Sequence, residues 1–174
     1  MSYAPKVYRK QGGDEMVVAS GGKITAEAGG TIQQAPVGAG GTLTLTRDAH
    51  DGKTILLDTA AGSTVTLPAA SGSGARFRFQ VSVTATSNSH VVKVANATDI
   101  MQGVILALSD DTAAVKGWET GSDSDTITFN RTTTGTAKIG HFVEVEDIKT
   151  GVFAVHGIIA QNGVEATPFS AAVS

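Results

Sequence analysis

Arg76–Thr84 reads RFRFQVSVT, and its strict alternation constrains this chain more than any other stretch. Phe77, Phe79, Val81 and Val83 fall on one side; Arg76, Arg78, Gln80 and Ser82 fall on the other. A period of two belongs to a β-strand. A face so uniformly apolar must be buried against a second layer. Similar stretches recur at short intervals: Thr42–Thr46 (TLTLT), Thr54–Asp58 (TILLD), Ser63–Leu67 (STVTL), His90–Ala95 (HVVKVA) and Thr126–Asn130 (TITFN). Asp51-Gly52 and Ala61-Gly62 supply turns between them, and Pro68 stops the third. Gly140–Asp147 and Val152–Ala160 flank Lys149-Thr150-Gly151 and predict a hairpin, with a last short strand expected near Ala171–Val173. Gly103–Leu108 (GVILAL) is apolar throughout and suits either a central strand or a subunit contact, whereas Ser109–Asp125 reads as an acidic, turn-rich loop holding Trp118. No segment shows a 3.6-residue apolar period. The expectation is an all-β body over residues 42–174, an antiparallel sandwich of many short strands.

The first 41 residues are different. Val17–Ile32 (VVASGGKITAEAGGTI) holds two copies of an eight-residue unit, each an extended run, a Gly-Gly pair and then Ile24 or Ile32. Each copy offers about two side chains worth burying, at roughly 1.5–3 kcal/mol apiece. Ordering its backbone costs about 1–2 kcal/mol per residue. Two copies cannot fold alone. Either the segment is a Gly-rich linker, or copies from other chains complete a shared β-helical neck in which Val18, Ile24 and Ile32 supply the core. Before it, Met1–Gly13 carries Lys6, Arg9 and Lys10 with no acid, and Tyr3, Val7 and Tyr8 among them. Such a segment is either a solvated terminus or an extended arm on an acidic partner. The aromatic anchors favour the arm, with Tyr3, Lys6, Val7, Tyr8, Arg9 and Lys10 as its contacts. Gln33–Gly41 (QQAPVGAGG) has the composition of a linker, and the domain boundary is expected there.

Composition narrows the function. A net charge of -3 disfavours general nucleic-acid binding, which needs a basic face. With no Cys, a disulfide framework, a thiol nucleophile and a thiolate metal site are excluded. The opening MSYAPKVYRKQGGDE lacks the apolar core of a signal peptide. No apolar run approaches the ~20 residues of a membrane span. The expectation is a product that folds in the cytoplasm and has no membrane partner.

Motifs of chemistry are sparse. His50, His90, His141 and His156 show no metal-ligand spacing, and a hydrogen-bonded structural role is expected for those in strands. Asp110, Asp111, Asp123 and Asp125 form one carboxylate cluster, readable as solvated turn acids or as a Ca²⁺ loop, although the EF-hand pattern is absent. The cluster gives no reason for one carboxyl to be buried and raised in pKa, as a glycosidase pair requires. Nucleophile-elbow, Walker and dinucleotide-binding motifs are missing. The expectation is a binding or structural protein that is not an enzyme, with no catalytic residue, metal or cofactor.

Three stretches carry a family likeness: Tyr8–Ile32, Gly52–Ile105 and the ending GVEATPFSAAV (Gly163–Val173). Together they resemble virion structural proteins of tailed bacteriophages and their prophages, namely head-decoration (cement) proteins and the related head-fibre proteins. The resemblance implies a homotrimer whose N-terminal arm clamps the outer surface of the assembled head. Its main partner would be the major capsid protein, and a jelly-roll-like or tulip-like β body would project outward. The alternative is a fibre or tailspike-type adhesin for a host glycan or receptor, which would present loop aromatics; Trp118 and Phe169 are the candidates.

Overall fold

The computed structural model describes residues 7–9, 11–13, 16–19, 22–25, 27–28, 30, 33–111, 113–134 and 138–173. The chain forms two compact units, residues 1–33 and 34–174.

In the first unit, β1 (Val7–Arg9) pairs antiparallel with β2 (Met16–Val18). Val7 lies opposite Val18, Tyr8 opposite Val17 and Arg9 opposite Met16. Gly12 and Gly13, both at positive φ, turn the chain between the strands. The expected arm is therefore half of a hairpin whose other half is the start of the first octad. The octads do share a turn. The Gly22 N–H donates to the Ala19 carbonyl and the Gly30 N–H to the Glu27 carbonyl, both at 2.8 Å.

The second unit is a sandwich-like pair of packed sheets. It contains β3 (Val37–Gly38), β4 (Thr42–Thr44), one helical turn α1 (Arg47–His50), β5 (Thr54–Leu57), β6 (Thr64–Thr66), β7 (Arg76–Val81) and β8 (His90–Lys93). There follow β9 (Ile100–Leu108), β10 (Val115–Glu119), β11 (Thr126–Phe129), β12 (Phe142–Lys149), β13 (Val152–Ala160) and β14 (Phe169–Ser170). The larger sheet has seven strands in the order β10-β9-β13-β12-β7-β5-β3; the smaller has five in the order β14-β11-β8-β6-β4.

From β3 to β8 the chain alternates between the sheets. β3, β5 and β7 lie parallel in one, and β4, β6 and β8 lie parallel in the other. This is a short two-sided coil, each circuit laid beside the one before. The later strands pair mostly antiparallel, including the expected β12–β13 hairpin, but β13 runs parallel to β9 over nine register pairs from Val152–Ile100 to Ala160–Leu108. The expected all-antiparallel pairing is thus corrected to two mixed sheets. A strand's apolar period fixes its face, not its neighbour's direction.

The core lies between the sheets. Phe77 and Phe79 on β7, Ile55 and Leu57 on β5, Val143 and Val145 on β12 and Phe153 and Val155 on β13 meet Val65, Val92, Ile127 and Phe129 from the smaller sheet. Val83 lies beyond the end of β7 and is only partly buried, so the expected nine-residue strand has six. Gln33–Gly41 is not a free linker throughout. The second unit begins at Gln34, β3 is an edge strand of the larger sheet, and Ala39 is buried in the core. Ser109–Asp125 likewise contains a strand, β10, paired with β9.

Candidate functional site

The N-terminal ribbon presents the residues assigned to partner contact. Val7, Tyr8 and Arg9 on β1 and Met16 and Val18 on β2 are exposed, with Tyr8 and Val17 on one face and the other two pairs on the opposite face. Ile24 is also exposed. Tyr3, Lys6, Lys10 and Ile32, the remaining contacts assigned from sequence, lie outside the described residues. A two-stranded ribbon with apolar side chains in water is marginal by itself.

On the body, the outer face of the larger sheet is built by rows of cross-strand partners. Arg78 on β7 lies beside Glu144 on β12, then His156 on β13, Val104 on β9 and Glu119 on β10. The neighbouring row runs Gln80, Phe142, Ile158, Leu106 and Gly117. Arg78 pairs with Glu144 at 2.7 Å and stacks on the Phe142 ring at 3.8 Å; Arg76 pairs with Glu146 at 3.0 Å. Two shallow grooves adjoin here. One of about 400 Å³ is lined by Lys53, Arg76, Arg78, Glu144, Glu146 and His156 among others. The second, about 390 Å³, is lined by Val104, Leu106, Phe142, His156, Gly157 and Ile158.

The outer face of the smaller sheet is threonine-rich. Thr42, Thr64, Val91 and Thr128 form one row, and Thr44, Thr66, Lys93, Thr126 and Ser170 the next. It has no counterpart to the charged ladder or the apolar groove.

Two of the titratable groups singled out from sequence, Asp125 and His90, serve the scaffold. Asp125 accepts the backbone N–H groups of Ala172 and Val173, at 2.8 and 3.0 Å, and the Thr126 hydroxyl at 2.7 Å. It therefore ties down the end of the chain. Among the described residues no group of three or more His, Asp or Glu side chains is arranged to hold a metal ion. His90 is fully buried. Its Nδ1 accepts the Ser63 N–H at 3.0 Å, and its Nε2–H donates to the Val83 carbonyl at 3.1 Å. Burial lowers its pKa below the ordinary histidine value, against the raising effects of the Val83 carbonyl and of Asp58.

Asp147, on β12, was not singled out from sequence. Its side chain has 0% exposure and accepts the N–H groups of Ser71, Gly72 and Ser73, the Ser71 and Ser73 hydroxyls, and Nη2 of Arg47 at 3.1 Å. Burial alone would raise its pKa. The Ser73 hydroxyl and the three N–H donors outweigh burial and hold the carboxyl well below its usual range. Its partners lie far away in sequence, in the AASGSG loop and on α1, and no local motif announces them. The two aromatics proposed as adhesin contacts differ in burial. Trp118 packs partly against the core with Nε1 donating to Gln161 Oε1 at 2.9 Å, and Phe169 is a core residue.

No family model, no curated protein and no solved structure matches this chain. Among the described residues no helix is long and apolar enough to cross a membrane.

Proposed function

We propose that this chain is a virion structural protein, a decoration (cement) protein that binds the outer surface of an assembled phage head as a homotrimer. The observation that carries the reading is the exposed ribbon of Val7, Tyr8, Arg9, Met16 and Val18, part of a compact unit of its own and too small to be stable without a partner. The major capsid protein is the partner in this reading, reached through aromatic and aliphatic anchors with Arg9 and its neighbouring lysines at the rim. A ligand that binds only the assembled shell stabilises it by mass action. Three tethered ribbons raise the effective concentration of each. Neither a cofactor nor nucleic acid nor a membrane enters the scheme, and the protein would be made in the host cytoplasm and end on the head. A jelly-roll or tulip-like body belongs to the resemblance; the mixed sheets supply its layering without its all-antiparallel pairing.

Co-sedimentation with expanded empty heads tests the proposal. Deleting residues 1–13 should abolish binding while the body stays folded. Tyr8→Ala should weaken binding more than Arg9→Ala, and only the Arg9 contribution should fade with added salt. Wild-type occupancy by the deleted protein would move the contact to the body and overturn the ribbon's role.

A further inference from the structure

The apolar half of the larger sheet's outer face is left open in the single chain. Val104, Leu106 and Leu108 on β9 stand beside Ile158 on β13 and Val115 on β10, and their exposures run from 41% to 58%. Phe142 closes the patch on the β12 side. The inner faces of the same strands are filled by Met101, Ile105, Ala107, Phe153, Val155 and Ile159. β9 and β13 are thus apolar on both sides, the pattern of strands buried on both faces. They pair in parallel over nine positions, so their outward apolar side chains stand side by side along the whole seam.

We infer that this patch is an interface between copies of this chain. Three features select a second copy as its occupant. The open apolar area is on the order of 400 Å², the size of patch that is often functional on a monomer and close to the apolar share of a standard interface of about 800 Å² per partner. The charges beside the patch cancel: three cations, Lys53, Arg76 and Arg78, accompany three acids, Glu119, Glu144 and Glu146, and both arginines are already paired within the chain. A balanced rim offers nothing to an acidic shell but complements a copy of itself. The groove along Val104, Leu106 and Ile158 is shallow and lacks the enclosure of a small-molecule pocket, which suits the side chains of a facing sheet. The inference goes beyond the capsid reading and does not need it, since it places self-association on the body and not in the octad segment.

The test is the mass of the full chain by sedimentation equilibrium at tens of micromolar. Wild-type protein should sediment at a multiple of 17.7 kDa. Leu106→Lys combined with Ile158→Lys should return it to the monomer mass with unchanged circular dichroism. Thr64→Lys, on the opposite outer face, should leave the multiple intact. Should the double variant lose its fold, Val115→Lys at the edge of the patch serves instead and should weaken association at least tenfold. A wild-type monomer overturns the inference. So does a folded double variant that keeps the wild-type mass. If Ile24→Asp in the octad segment gives the monomer while the double variant does not, the copies are held by the neck; the inference then fails while the decoration reading stands.

Discussion

The two halves of the seven-stranded sheet share one core and face outward in opposite ways. On β7 and β12 the outward positions include Arg76, Arg78, Glu144 and Glu146, laced into a ladder of ion pairs. On β9 and β13 they include Val104, Leu106, Leu108 and Ile158. The halves meet where Arg78 covers the Phe142 ring. Inward the difference disappears, since Phe79 and Phe153 are each at 0% exposure. A strand's inner face thus reports the fold, and its outer face reports what it meets. The charged half is satisfied by ion pairs within the chain; the apolar half is the surface on which the inferred interface rests.

The sharpest way to break the comparison is at Gly103, the residue of β9 beside Val155 of β13. Its φ is +151°, and an added Cβ would run into the Val155 carbonyl oxygen. Gly103→Ala should cost about 3 kcal/mol or more, through strain and forced separation of the parallel pair. Chemical denaturation should show it, and an unchanged midpoint would mean that β9 and β13 are not so closely paired. The next test asks whether the halves are alike inside. Phe79→Ala and Phe153→Ala should each cost about 3–5 kcal/mol. A cost below about 1 kcal/mol for either would place its strand the wrong way round.

Asp147 anchors the charged half to the AASGSG loop. Asp147→Ala should cost about 2–4 kcal/mol, because it leaves three backbone donors and Arg47 without their acceptor. The pH dependence follows from its depressed pKa. The unfolded carboxyl titrates near its ordinary value of about 3.9. The stabilisation is therefore complete above that value and is lost as pH falls further toward the folded pKa. Acid titrations of wild-type and Asp147→Asn proteins should differ in slope below about pH 4 and run parallel above it. The smallest effect is expected from Arg78→Ala, under about 1 kcal/mol, because its ion pair is solvated and only the ring contact adds to it. That small loss should shrink with salt; a large, salt-independent loss would show that the ladder is structural after all.

Much of this was legible from sequence where one strand could be judged by itself. RFRFQV on β7 names its own buried face, and the β12–β13 hairpin is marked by its turn. What depends on partners was not legible. VKGWE on β10 has no apolar alternation and is a strand because β9 offers an edge; Val37-Gly38 is too short and too glycine-rich to stand out from a linker. The coil from β3 to β8 was hidden because a parallel and an antiparallel strand carry the same period. Of the candidate contacts of the N-terminal unit, Val7, Tyr8 and Arg9 are exposed; the pairing of the arm with the first octad was not legible, since three-residue strands carry too little pattern. GVILAL suited either a central strand or a subunit contact; β9 is an interior strand of its sheet, and only the register brought Ile158, Val115 and Phe142 beside its outer side chains.

The coil also sets an order of assembly. Val37 on β3 lies beside Ile55, and Ile55 beside Phe79, so each circuit finds its neighbour a few tens of residues away and closes a short loop. Ile105 must wait for Gly157, across the whole of β10, β11 and β12. Short closures cost less chain entropy and form earlier. The coil and the β9–β10 and β12–β13 hairpins are therefore the parts that can form first, and the two long closures, β7–β12 and β9–β13, follow. Until those closures are made, the facing edges of β9 and β13 stand open to pairing with neighbouring chains.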